Sequence, residues 1–298
     1  MNNSENSDNK HKIKRLKRFI VSVAFVMLIL PSAVSIYFII KMNQNFEDKK
    51  ADAKNVYIVE EADKFVASEN SVSVNTTENM TGVTQDGKYE DKIKICLTFD
   101  DGPSTETDEI LDILQDYGIK ATFFVNGREG FDEEYRRIVE EGHAIGMHSY
   151  SHSYRDVYRD LDSFADDLYN IQSFIMDKTG VECSIYRFPG GSSNTVCRID
   201  MKDCIEYLSA KNIQYYDWNV AANDAVVGGA TVDAIVTNVM NGIAEEESDT
   251  IIILFHDSET KKTTVEALPI IIERIADTGD YVFVPINEDV IPVHHIDE

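Results

Sequence analysis

The chain has 298 residues, of which 43% are hydrophobic, and a formal net charge of −25 at pH 7. Its apolar and aromatic content is that of a globular protein, which excludes a wholly disordered or fibrous chain. The acidic excess argues against nucleic acid as a partner, because phosphate binding requires clustered Lys and Arg. The charge is uneven: residues 1–42 hold seven basic and two acidic side chains, whereas the remaining 21 basic and 51 acidic side chains give the rest of the chain −30.

Residues 19–40 form an uncharged apolar segment, FIVSVAFVMLILPSAVSIYFII. A helix of this length crosses roughly 30 Å of hydrocarbon. The basic cluster in residues 1–18 predicts a cytoplasmic tail. The chain is therefore predicted to cross the cell membrane once, and the residues after the helix are predicted to lie outside the membrane. A cleaved signal peptide with a small-residue site at residues 33–35 is the alternative, but the apolar run continues through residues 36–40, which favours a retained anchor.

Residues 41–90 are predicted to be an extracytoplasmic stalk between the membrane helix and a folded domain at residues 91–298. The stalk contains ENSVSVNTTENMTGVTQDGKYED, where Ser, Thr, Asn and acidic residues are abundant and apolar residues have no sustained period. A segment of this composition buries too little apolar surface to fold by itself.

From residue 91 onward, short apolar runs alternate with stretches of helical period. Seven runs predict strands, at residues 92–100, 121–125, 143–148, 185–188, 215–220, 251–255 and 281–284. The stretches between them predict helices, at residues 106–117, 132–141, 162–178, 201–211, 231–243 and 263–278. Strands and helices in this alternation predict an α/β fold in which a parallel sheet closes into a barrel.

The four cysteines have no CxxC spacing, which argues against a thiolate metal site. Cys96 lies in a predicted strand and is expected to be a small buried hydrophobe. A disulfide among Cys183, Cys197 and Cys204 is compatible with an extracytoplasmic domain, although the sequence indicates no pairing.

Chemistry-bearing side chains follow the predicted strands, at the edge where parallel sheets place reactive groups. The first strand ends at Asp100 and is followed by Asp101, the third ends at His148 and is followed by His152, and a later strand is followed by His256. Two imidazoles at positions i and i+4, together with one carboxylate, form a ligand set for a catalytic metal. Taken alone, each of these motifs is also compatible with a solvated turn or a structural histidine.

The motifs are much more specific as an ordered set. In chain order, TFDDGP (98–103), HSYSH (148–152), RFPGG (187–191), YDWNVAAND (216–224) and LFHD (254–257) resemble the five motifs of the polysaccharide deacetylases, the NodB homology domain of carbohydrate esterase family 4. The resemblance covers residues 92–284. It implies a distorted (β/α)7 barrel and an enzyme that hydrolyses carbon–nitrogen amide bonds.

The resemblance also implies a divalent metal ion, most simply zinc, bound by Asp101, His148 and His152. Asp100 would then be the general base that takes a proton from a water at the metal. His256 would be the general acid that protonates the departing amine.

Further roles follow from the same resemblance. Arg187 would tether Asp100, since a guanidinium can hold a neighbouring carboxylate ionised and oriented. A backbone N–H near Gly190 would stabilise the oxyanion. Leu254 would line the pocket for the acetyl methyl group, and Pro189 would contact the substrate.

The sequence departs from the family pattern in two motifs. Gly190 stands where an aromatic residue, commonly Tyr, is usual, so a side-chain wall is expected to be lost while a backbone donor remains. Ala221 and Ala225 occupy positions where the family often has an acid and a Trp. Asp224 is then the matching carboxylate and the expected partner that orients the general acid. Trp218 is expected in the core rather than as a platform for a sugar ring.

The expected function is removal of N-acetyl groups from cell-wall polysaccharide, above all from the N-acetylglucosamine of peptidoglycan, because the predicted anchor and stalk place the domain where wall polymer lies. The expected partners are an N-acetylated polysaccharide, either peptidoglycan or a chitin-like oligomer, and the membrane through residues 19–40. The alternatives are an O-acetyl esterase, a chitooligosaccharide deacetylase and a non-catalytic sugar-binding domain on the same fold.

Overall fold

The structure is a computed structural model that describes residues 92–226 and 229–296. The predicted cytoplasmic tail, membrane helix and stalk, residues 1–90, lie outside the described residues. Within the described part of the chain, no helix is both long enough and apolar enough to cross a membrane.

Eight parallel strands form one sheet among the described residues. They are β1 (Ile93–Asp100), β2 (Thr122–Asn126), β3 (Ala144–Ser149), β4 (Ile185–Tyr186), β5 (Gln214–Tyr215), β6 (Val220–Ala221), β7 (Thr250–His256) and β8 (Tyr281–Phe283). Their order across the sheet is β5-β4-β3-β2-β1-β7-β6, and β8 pairs with the start of β1. The predicted α/β class with a parallel sheet is therefore confirmed.

Helices connect the strands, and each predicted helix is present. They are α1 (Thr107–Asp116), α2 (Asp132–Glu140), α3 (Tyr154–Val157), α4 (Leu161–Thr179), α5 (Met201–Ala210), α6 (Val232–Glu245) and α7 (Lys262–Ala276). The one-turn helix α3 was not predicted. The longest helix, α4, has local start and stop signals: the Asp160 side chain accepts a hydrogen bond from Ser163 N, and Gly180 ends the helix in the left-handed conformation at φ 74°.

The strand order is that of a parallel half-barrel, which is consistent with the predicted distorted (β/α)7 barrel, although the end strands β5 and β6 do not pair with each other. The prediction of one strand at residues 215–220 is wrong. This segment forms two strands, β5 and β6, which lie at opposite ends of the strand order. Tyr216 N still bonds to Tyr186 O on β4, whereas Asn219 N bonds to Ile252 O on β7. A link this short cannot pair two consecutive strands in parallel, because a parallel connection needs about a dozen residues or more. Asp217 N instead donates to Val293 O of the C-terminal segment.

Side chains along β1 point alternately to the two faces of the sheet. Ile95, Leu97 and Phe99 pack in the main hydrophobic core with the helices. Cys96 belongs to a second, smaller cluster, and Asp100 shares its face because side chains repeat every two residues along a strand. The first strand therefore supplies apolar packing on one face and the Asp100 carboxylate on the other.

All four cysteines of the chain lie among the described residues and are free thiols. Cys96 is fully buried, as its position in the strand predicted, and burial raises its pKa to about 12. It is accordingly a neutral thiol that packs as an apolar side chain.

Candidate active site

The carboxyl ends of β1, β3 and β7 bring the sequence motifs to one edge of the sheet. β1 and β7 run in register, with Asp100 opposite His256. Asp100 also pairs with Phe124 of β2, and β3 ends at Ser149, directly after His148. Residues that are more than a hundred positions apart in the sequence thus become neighbours through strand order.

Asp101, His148 and His152 come together as a compact set whose ligand atoms all lie within 4.8 Å of one another. Asp101 Oδ1 is 3.1 Å from His152 Nε2 and 3.6 Å from His148 Nε2. His148 Nδ1 lies 2.8 Å from Arg187 O, so a proton on Nδ1 leaves the Nε2 lone pair facing the carboxylate. One carboxylate and two imidazoles converging in this way fit a divalent metal with open coordination positions.

The electrostatics of this set also fit a metal site. Burial by itself would raise the pKa of Asp101, but the hydrogen bond from His152 and the charge of His148 hold that pKa well below its usual range. Burial lowers the pKa of His148, against the opposing effect of the nearby carboxylates. An ionised carboxylate and a neutral imidazole are the protonation states that metal ligation requires.

Asp100 is held by a fully buried arginine. Arg187 Nη1 lies 2.9 Å from Asp100 Oδ1, and Arg187 is 0% exposed. The guanidinium also donates to Thr98 Oγ1 and to the carbonyl oxygens of Tyr216 and Asp217, so each nitrogen has an acceptor. The carboxylate is consequently fixed in position through one oxygen.

His256 and Asp224 lie in direct hydrogen-bond contact. His256 Nδ1 is 2.7 Å from Asp224 Oδ1, and Asp224 Oδ2 accepts hydrogen bonds from His256 N and Thr264 Oγ1. Burial by itself would lower the pKa of His256, but the hydrogen bond and the charge of Asp224 raise it above its ordinary value. The imidazole therefore carries its proton to a higher pH than a free histidine.

With this geometry established, comparison with known proteins identifies the family. The model of the polysaccharide deacetylase family matches residues 87–204. A peptidoglycan-N-acetylglucosamine deacetylase from Bacillus cereus is 30% identical over 201 residues, which are 65% of this chain and 86% of that protein. The chain belongs to the polysaccharide deacetylase family. The resemblance read from the five motifs is confirmed, and with it the enzyme class, a hydrolase of amide bonds.

The chain covers different shares of the length of its relatives in the deacetylase family. The peptidoglycan-N-acetylglucosamine deacetylase of Listeria monocytogenes is 32% identical over 204 residues, but the chain spans only 38% of its length. The crystal structure of the catalytic domain of a peptidoglycan N-acetylglucosamine deacetylase from Eubacterium rectale is similar with a TM-score of 0.65 and 32% identity. That similarity covers 76% of this chain and 98% of the other.

The residues predicted to contact substrate, Pro189, Gly190 and Leu254, belong to the third and fifth motifs. Gly190 is exposed, with φ 79°, and among the described residues no acceptor takes a hydrogen bond from its N–H. Pro189 O accepts a hydrogen bond from the Tyr158 hydroxyl, and Leu254, almost fully buried on β7, lies in register with Ala221 of β6. Trp218 is only half-buried.

Asp167 supports the site and was not predicted. It is buried on α4 and accepts hydrogen bonds of 2.8–3.0 Å from Ser149 Oγ, Tyr150 N and both the N–H and the hydroxyl of Ser151. It thereby fixes the loop between His148 and His152. One feature of the sequence could have revealed Asp167: it is an acidic residue on the apolar face of a predicted helix, among Phe164, Leu168 and Ile171.

Replacing Arg187 by Ala is expected to destabilise the fold by about 3–5 kcal/mol, because the substitution leaves the Asp100 carboxylate buried without its partner. Urea denaturation at constant pH measures the change in the free energy of unfolding. The matched control is Arg155→Ala, which removes an exposed ion pair with Asp156 and should leave the free energy of unfolding nearly unchanged. Equal losses in the two variants would contradict a structural role for the Arg187–Asp100 pair.

Proposed function

We propose that the protein is a divalent-metal-dependent deacetylase that hydrolyses the N-acetyl groups of peptidoglycan N-acetylglucosamine. The observation that carries the proposal is the convergence of three groups at one edge of the sheet: the ligand set Asp101, His148 and His152; the carboxylate of Asp100; and the imidazole of His256. Each has the environment that its proposed role requires.

Asp101, His148 and His152 would hold the metal, for which we propose zinc because the set combines imidazole nitrogen with carboxylate oxygen. When bound there, a divalent cation supplies Lewis acidity, which polarises a carbonyl and makes a water easier to deprotonate.

Asp100 acts as the general base. Its Oδ1 is engaged by Arg187, whereas Oδ2 lies 3.9 Å from His148 Nε2 and thus faces the ligand set. A carboxylate with one oxygen fixed and the other directed at the reacting centre can accept the proton of the attacking water.

His256 acts as the general acid. Asp224 occupies its Nδ1, so the proton that leaves for the amine is the one on Nε2. The pKa of His256 is raised by Asp224 despite burial, which favours the protonated form that a general acid requires. The Gly190 N–H, which donates to no acceptor among the described residues, can donate to the oxyanion that develops on the acetamide oxygen.

The polymer and the location of the enzyme are parts of the same proposal. The similar proteins from Bacillus cereus and Listeria monocytogenes are named peptidoglycan-N-acetylglucosamine deacetylases, which supports this sugar as the substrate. The apolar segment at residues 19–40, preceded by basic residues, supports a single-pass anchor in the cell membrane with the catalytic domain outside.

Acetate release from an N-acetylated chitooligosaccharide tests the activity. The purified full-length protein should release acetate when loaded with zinc, lose the activity on chelation and regain it on adding zinc back. Acetylated xylan should release much less acetate. Release from the xylan alone would indicate an O-acetyl esterase, and no release from either, with zinc bound, would indicate a sugar-binding domain.

Protease protection tests the location. In cells that express the full chain and have been stripped of their wall, added protease should remove the catalytic domain while residues 1–40 stay with the membrane fraction. The basic cluster at residues 1–18 is the reason, because it holds the amino terminus in the cytoplasm. A domain that resists external protease until the cells are lysed would contradict this topology.

A further inference from the structure

Tyr154 lies between the proposed metal ligands and the Gly190 turn. Its ring meets the imidazole of His152 edge-on, with 5.7 Å between the ring centroids. A Cβ added to Gly190 would stand 2.8 Å from the Tyr154 hydroxyl oxygen and 3.0 Å from Cε1 of its ring. The phenol of Tyr154 therefore occupies the space that a side chain at position 190 would enter.

Gly190 itself is poorly suited to carry a side chain. Its φ of 79° is a left-handed conformation that L-residues with a Cβ rarely adopt, and the Tyr154 ring blocks the position as well. The aromatic wall whose loss the sequence indicated is thus restored from another segment, helix α3. We propose that Tyr154 forms the wall of the subsite that receives the acyl group of the substrate and limits that group to the size of an acetyl.

The surroundings of Tyr154 hold the wall in place and leave room for a ligand. Tyr158, one turn later, packs edge-on against Tyr154 with 6.0 Å between centroids, and its hydroxyl donates to Pro189 O. Tyr158, the residue that directly follows α3, therefore contacts both the ring and the turn that the ring faces. Tyr154 is half-buried, and its hydroxyl has no hydrogen-bond partner among the described residues, so one side of the phenol stays accessible.

The proposal rests on the proposed deacetylase function, and acyl-size selectivity tests it. The ratio of kcat/KM on an N-acetyl to that on an N-propionyl chitooligosaccharide should fall about tenfold or more in Tyr154→Ala, since discrimination of one methylene is worth roughly 10–200-fold. Tyr154→Phe should keep the ratio, because the ring remains. Tyr169→Ala is the matched control, as Tyr169 is 69% exposed on α4.

A binding measurement separates failure of this proposal from failure of the proposed function. Calorimetry with the zinc-loaded full-length protein compares acetohydroxamate with propionohydroxamate, whose acyl groups probe the subsite without turnover. The wild type should prefer the acetyl compound, and Tyr154→Ala should lose that preference. Should the wild type hydrolyse no amide, the proposed function fails while the hydroxamate pair still reports on Tyr154.

A second variant guards against misfolding of the first. Tyr154→Leu fills part of the space left by the ring and should give an intermediate selectivity, with zinc stoichiometry and thermal unfolding checked alongside. The proposal would be overturned if a folded, zinc-loaded Tyr154→Ala or Tyr154→Leu protein kept the acyl selectivity of the wild type. The selectivity is measured by turnover where the protein has activity, and otherwise by hydroxamate binding.

Discussion

The Asp100→Asn variant is expected to keep its metal and to lose about 10²–10⁴-fold in kcat on an N-acetylated sugar, the usual contribution of a general base. Asparagine preserves the shape of the side chain and an oxygen acceptor for Arg187, but it cannot take the proton of the attacking water. Initial rates of acetate release, together with metal content by elemental analysis, measure both parts of the expectation.

Asp101→Asn is the matched comparison, because the two carboxylates are adjacent and the substitutions are chemically identical. Asp101 Oδ1 lies against both imidazoles, whereas Asp100 Oδ1 lies against Arg187. Asp101→Asn should therefore lower metal occupancy and activity together. Loss of metal in Asp100→Asn and retention in Asp101→Asn would reverse the roles given to the two residues.

The His256→Ala variant is expected to lose about 10²-fold or more in kcat on the N-acetyl substrate. An amine expelled without a proton is a very poor leaving group, so hydrolysis of an amide depends on an acid. An activated acetate ester has a leaving group that needs no proton, and its hydrolysis should fall clearly less. Parallel assays of the two substrates, with metal content unchanged, test the assignment.

The pH dependence gives an independent check on His256. Because Asp224 raises the pKa of His256, the alkaline limb of the amide pH–rate profile should lie above the ordinary histidine value of about 6.5. Asp224→Asn removes that charge and should move the limb to lower pH, while His256→Ala should flatten it. Equal losses on amide and ester in His256→Ala would indicate that His256 binds substrate or supports the fold instead of donating a proton.

The convergence of Asp100 and His256 could be predicted from the sequence because parallel sheets bring the carboxyl ends of their strands together. Asp100 and His256 each end an apolar run, and strands that run in the same direction bring those ends to one edge. The i, i+4 spacing of His148 and His152 also needs no long-range information. Pairing of β1 with β7 over seven residues then sets Asp100 beside His256.

Other features depend on contacts that no local pattern encodes. Asp167 stabilises the loop after β3 from a helix, and Tyr154 reaches Gly190 from a one-turn helix of four residues, too short to show a period. The division of residues 215–220 into β5 and β6 is likewise decided by neighbours, since two-residue strands exist only through their pairing with β4 and β7.

Mass spectrometry of peptidoglycan fragments, combined with acetate assay, tests the central claim most directly. Purified peptidoglycan is incubated with the zinc-loaded full-length protein or with Asp100→Asn and then digested to muropeptides. The account predicts N-acetylglucosamine converted to glucosamine, with one acetate released for each conversion, by the wild type alone. Muropeptides that remain fully N-acetylated, while the protein carries its zinc and is folded, would contradict it.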